Sequence, residues 1–235
     1  MLHNPIPETP SSSPGQPGRK RLSSTTWVWI VALSVGLAVT EAGKKPEKIS
    51  FEPDWDPEAK VEGGPVLHGD TWLVADEGFT ARLTQLDDES RWKYIQAMTE
   101  AEVDPFVDTD SDSPGFLTFA LELESKTHGD LVLKPDRCRL ITNRHEFRHP
   151  LDIVAIETSY RLQEAEVPPA YLAAQAALIP AEVTLENGQS GAGLMVYKGV
   201  DPKTRSFVVE VLLTTPKGEL ADYSLPYRRA EKKRD

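Results

Sequence analysis

His145-Glu146-Phe147-Arg148-His149 spells HExxH, the pattern used by zinc peptidases. On a helix, residues spaced this way share a face, so both imidazoles can bind Zn²⁺ while the glutamate takes a proton from the metal-bound water. The surroundings point elsewhere. Thr142-Asn143-Arg144 precedes the motif and Pro150 follows it, which pushes His149 away from helical dihedrals. The expected setting is therefore a polar loop between strands. The alternative is a zinc-dependent metallopeptidase using His145, Glu146 and His149, with Glu157 or Glu164 as third ligand.

Asp104, Asp108, Asp110 and Asp112 form a second candidate, because hard cations such as Ca²⁺ bind clustered carboxylate oxygens. Counted from Asp108, however, Ser113 and Phe119 stand where a calcium loop needs glycine and glutamate, so a solvated acidic loop is expected. Gly188-Gln189-Ser190-Gly191-Ala192 approaches the nucleophile elbow of hydrolases. Ala192 breaks the pattern and a strand follows it, so a hairpin turn is the better expectation. Cys138 lies in phase with Leu140 and reads as a buried apolar group. These residues predict no catalytic site and no cofactor, with zinc or calcium as the alternatives.

The elements that would carry these groups are mostly strands. Phe79, Ala81 and Leu83 alternate with polar neighbours, as do Leu117, Phe119, Leu121 and Leu123, the period of a half-buried strand. Runs at 131–133, 138–141, 182–185, 194–197, 207–213 and 222–227 fit the same pattern. Between them lie turn signals: His128-Gly129-Asp130, Asn187-Gly188, Asp201-Pro202-Lys203 and Pro216-Lys217-Gly218. Asp87 and Asp88 can cap a helix reaching about Met98, with Trp92, Ile95 and Met98 on one face. Pro168 and Pro169 can open a second helix reaching Leu178. The expected fold is an all-β antiparallel sandwich with one or two short helical insertions.

The net charge of −11 argues against nucleic acid as a partner, since phosphates must be met by clustered Lys and Arg. The single cysteine excludes an intrachain disulfide. Trp27–Val39 is an uncharged apolar run directly after Arg19, Lys20 and Arg21, the order of an export signal. Its length suits a signal-peptide core or a short retained anchor, with the basic residues left in the cytoplasm and the later chain exported. The expected divisions are a Pro- and Ser-rich leader over 1–26, the signal or anchor over 27–42, a flexible linker over 43–66, the sandwich over 67–229 and a basic tail over 230–235.

Several stretches together carry a resemblance: Asp104-Pro105-Phe106, Gly115-Phe116-Leu117-Thr118-Phe119, 131–140, and Leu185-Glu186-Asn187-Gly188-Gln189-Ser190 before Gly193-Leu194-Met195-Val196-Tyr197. Over about residues 70–229 the chain resembles the immunoglobulin-like sandwich domains of uncharacterised exported bacterial proteins, many of them lipoproteins. The chain departs from those lipoproteins in having no cysteine after the apolar run. The resemblance implies a fold and an exported location, periplasmic or extracellular, but no catalytic residues. The function expected is a non-enzymatic binding or scaffolding module of the bacterial cell envelope. Its partner would be an envelope protein or cell-surface component, with membrane attachment if the N-terminal segment stays uncleaved.

Overall fold

A computed structural model of the chain describes residues 49–59, 63–99, 101–107, 115–154, 156–157 and 168–231. These residues form two antiparallel sheets packed face to face, as the alternating strands predict, with two short helices outside one of them. The apolar run at 27–39, the leader and Lys232–Arg234 lie outside the described residues. Among the described residues no helix is long and apolar enough to cross a membrane.

The five-stranded sheet has the order β10 (Ser190–Lys198), β5 (Phe116–Ser125), β4 (Phe79–Leu86), β3 (Thr71–Ala75), β2 (Val66–His68). The seven-stranded sheet runs β1 (Phe51–Pro53), β12 (Leu220–Arg229), β11 (Ser206–Thr214), β6 (Leu131–Leu133), β9 (Val183–Leu185). Further along β11, its partner becomes β7 (Arg139–Thr142), which in turn pairs with β8 (Phe147–Arg148). A 3-10 turn at Pro135–Arg137 separates β6 from β7, so β11 meets an interrupted neighbour.

Period-two side chains fill the space between the sheets. Trp72, Phe79, Leu83, Phe119, Leu121, Tyr197, Phe207, Val209, Leu213 and Tyr227 are all buried there. Phe119 meets Tyr227 edge-on at 5.4 Å, and Phe207 stacks on Tyr227 at 5.1 Å. Aromatic burial of this kind dominates core energetics. Cys138 and Leu140 are both buried in this core, in the phase the sequence predicts.

A second apolar layer covers part of the outer face of the five-stranded sheet. It holds α1 (Asp88–Thr99), α2 (Pro169–Ala177) and the chain around Leu151 and Ile153, packed on Ala120, Leu194 and Val196. Asp87 caps α1 as predicted, its carboxylate accepting from Ser90 N at 2.8 Å. The face of α1 differs from expectation. Ile95 is buried, but Met98 is 48% exposed, and Arg91 takes an inward position instead. The reason is an ion pair that turns the guanidinium inward, described below.

Two further expectations change. The linker over 43–66 is not all linker: β1 pairs with β12, and Phe51 packs on Phe207 at 4.8 Å. Trp55 likewise packs on Trp72 at 5.5 Å. Three paired residues are too few to show an alternating pattern, which is why this strand escaped a reading by period. The Asn187-Gly188 turn is not a hairpin either. β9 belongs to one sheet and β10 to the other, because the end of β5 takes the incoming chain: Gly188 N donates to Ser125 O at 2.8 Å and Ser125 N to Gln189 O at 2.9 Å.

The outer face of the seven-stranded sheet is mixed: Val208, Ile141, Phe147 and Pro226 form an apolar row across it, beside ion pairs such as Arg228 with Glu52 at 3.0 Å. Pro226 sits inside β12 without breaking the sheet. Its carbonyl accepts from Asp54 N, so its missing N–H points toward the end of short β1 and away from β11.

Candidate functional site

The HExxH residues lie on the β7–β8 hairpin, not on a helix. Leu140 pairs with Arg148 and Ile141 with Phe147, and Thr142 N donates to Glu146 O at 3.0 Å to close the loop. His145 N donates to Thr142 O, and His145 takes φ 61, the left-handed position that ends a three-residue hairpin loop. The three side chains go separate ways. His145 is exposed at the tip, Glu146 binds Arg148 at 3.0 Å, and His149 Nδ1 lies 3.1 Å from the backbone oxygen of Asp136. Among the described residues no three His, Cys, Asp or Glu side chains converge to hold a metal. Glu157 adds no ligand set, and Glu164 lies outside the described residues. The zinc reading fails on local backbone: its ligands must share a helical face, and here they are spread along a turn.

The strained tip gives a direct test of this geometry. The His145→Gly variant is expected to be more stable by about 0.5–1 kcal/mol, because relief of a left-handed conformation worth about 1–2 kcal/mol is partly offset by the freer unfolded chain. On a helix the same change would cost about 0.3–0.5 kcal/mol, the gap between histidine and glycine as helix formers. Urea unfolding of the two proteins decides between a gain and a loss.

Asp104 belongs to the interior, not to an open calcium loop. Arg91 Nε and Nη2 both donate to Asp104 Oδ2, at 3.0 and 2.9 Å, and Phe106 N donates to Asp104 Oδ1 at 2.9 Å. The side chains are 3% and 9% exposed. Both carboxylate oxygens are therefore engaged within the protein. Asp108, Asp110 and Asp112 lie outside the described residues.

The groups buried between the sheets are chemically quiet. Burial pushes the Cys138 thiol up to about 11, so it is not a thiolate at neutral pH. Burial likewise raises the phenols of Tyr197 and Tyr227. A void of about 10 Å³ beside Trp72, Leu83, Leu121 and Leu225 has room for about one water.

One surface has the features of a binding site. The helical layer stops short of the far half of the five-stranded sheet, leaving a hollow of about 250 Å³ lined by Arg82, Glu122, Leu123, Glu124, Ser190, Gly191 and Ala192. Register brings these residues together: Arg82 opposes Glu122, Ala192 opposes Glu122 from the other side, and Ser190 opposes Glu124. Arg82 reaches Glu122 at 3.8 Å. The phenol of Tyr94 on α1 is raised first by burial and then by the Glu122 carboxylate. Glu124 is half-buried and has no cation partner among the described residues.

Main-chain groups line the same hollow. Along β10 the odd-numbered residues bond to β5, as Gln189 O with Ser125 N and Gly199 N with Gly115 O show. The even-numbered residues therefore turn their N–H and C=O outward. Leu194 O accepts from Ile179 N at 3.0 Å and Val196 O from Leu151 N at 2.7 Å, which covers that half of the edge. Gly193 permits this cover, since a Cβ there would lie 2.7 Å from Ile179 Cα. At Ser190 and Ala192 the outward groups have no partner among the described residues, and both residues are exposed.

Ser190, in the stretch that only approaches a nucleophile elbow, thus borders the hollow as the first residue of an edge strand, with no described histidine bonded to it. Reading the residues in order missed Glu122, Glu124 and Arg82. Their alternation with Leu121, Leu123 and Leu83 marks them as outward-facing, but not as the part of that face that the helices leave bare. In comparisons with protein-family models, with curated proteins and with solved structures, the chain matches none.

Proposed function

We propose that this domain is a non-enzymatic binding or scaffolding module of the bacterial cell envelope, of the immunoglobulin-like kind. The segment Trp27–Val39 exports it and either holds it at the membrane or is removed. The observation that carries the binding role is the hollow beside Ser190 and Ala192. It offers a strand edge without a partner among the described residues, paired and unpaired charges and room for side chains, whereas the void beside Trp72 has room for about one water. The exported location is supported by the basic-then-apolar order of residues 19–39.

A photoreactive amino acid placed at Ala192 of the full-length protein in a bacterial host tests both parts. A discrete adduct in the envelope fraction is expected, and none from the same label at exposed Lys217 on the β11–β12 turn. Recovery of the protein in the cytosol, or measured turnover of an envelope substrate, would remove the proposal.

A further inference from the structure

We propose that β10 accepts an extended peptide as an added strand at Ser190 and Ala192, with a lysine or arginine of that peptide seated against Glu124. This deepens the proposed binding role and rests on it. Three features of the edge support the inference. The outward N–H and C=O of Ser190 and Ala192 continue a ladder whose other outward positions, Leu194 and Val196, are already bonded to the chain at Ile179 and Leu151. A strand laid there sits about 4.8 Å away and needs no rearrangement of β10. The small side chains of Ser190, Gly191 and Ala192 leave that backbone open.

Charge selects the occupant. Side chains on one face of the added strand enter the hollow, where Glu124 is half-buried without a cation partner among the described residues and Glu122 is shared with Arg82 at 3.8 Å. A partly desolvated carboxylate gains most from a cation brought to it. The net charge of −11 also steers basic segments toward the protein. The β1 edge lacks this character. Its even-numbered residues bond to β12, so Pro53 faces outward with no N–H to offer.

The test uses the full-length protein in detergent and three fluorescent peptides. The first alternates threonine and valine around one central lysine, the second has glutamate in place of that lysine, and the third repeats the first with alternate amides N-methylated. By fluorescence polarisation the lysine peptide should bind saturably and the glutamate peptide about fivefold more weakly or worse, the size of a part-exposed ion pair plus repulsion. The N-methylated peptide should not bind. Glu124→Gln should narrow the difference between the first two peptides and leave the N-methyl effect intact. Ala192→Pro, on an edge position that tolerates proline, should abolish binding while circular dichroism stays unchanged. If that variant does not fold, the N-methyl peptide still tests the main-chain contact. Equal binding of the N-methylated peptide, equal binding of the lysine and glutamate peptides, or no saturable binding by any of them overturns the proposal. An envelope adduct at Ala192 together with failure of all peptides sinks the strand-addition proposal and leaves the binding module standing. Peptide binding by a cytosolic protein does the reverse.

Discussion

Asp104→Ala should destabilise the domain by about 3–5 kcal/mol, the cost of leaving a buried charge without its partner. Arg91 is 3% exposed and gives two hydrogen bonds to Asp104, at 3.0 and 2.9 Å. Asp88 also touches Arg91 at 3.0 Å, but its own side chain is 59% exposed, so it cannot replace a desolvated carboxylate. The same substitution frees Phe106 N, and Phe106 packs edge-on to Phe116 at 6.0 Å in the layer beneath the helices. A guanidinium denatured-state titration reads the loss. The double variant Arg91→Met, Asp104→Leu supplies the control, because a hydrophobic pair of similar volume should recover most of the stability. A loss below about 1 kcal/mol for Asp104→Ala would show that the pair is solvated, as surface pairs are. Since the ion pair lies in the helical layer and not between the sheets, hydrogen exchange should show α1 loosening before the β5 core.

Gly129→Ala should be comparably costly, at about 3–5 kcal/mol, because backbone strain and a steric clash add at one position. Gly129 has φ +107, where a Cβ is strained whatever the space around it. That Cβ would also lie 2.1 Å from Pro216 O and 3.0 Å from Pro216 C. Both neighbours are backbone, so no side-chain rotation relieves the contact. The turn after β5 and the β11–β12 turn at Pro216–Gly218 would have to separate, or the latter would have to deform against its own 2.8 Å hydrogen bond from Gly218 N to Thr215 O. A melting temperature lowered by about 10 °C is the expected reading for a domain of this size. A shift within about 2 °C would mean that the two turns do not touch in solution.

Most strands were readable from the order of residues because each of the long ones buries one face. Leu117, Phe119, Leu121 and Leu123 must alternate with polar neighbours when one side meets a core. The exceptions are instructive. The run 194–197 is a strand as expected but does not alternate: Leu194, Met195, Val196 and Tyr197 are all buried, since β10 has the other sheet on one side and the helices on the other. β1, β2 and β8 span only two or three residues and are strands by virtue of their partners. The expected face of α1 was Trp92, Ile95 and Met98, and it is the pairing with Asp104, thirteen residues on, that turns Arg91 inward.

By itself, then, the sequence determined the all-β sandwich with one or two short helical insertions, a helix cap at Asp87 or Asp88 and the buried places of Cys138 and Leu140, all of which follow from local periodicity and local hydrogen bonding. It also raised HExxH, whose meaning depends on whether the backbone there is a helix or a hairpin. Tertiary structure decided that question, pairing Leu140 with Arg148 and spreading the two histidines apart. It also sent β9 and β10 to different sheets and left Ser190 and Ala192 uncovered next to Glu124. These outcomes depend on which strands become neighbours and where a second layer ends. Both are set by contacts between residues far apart in the chain, which no local pattern records.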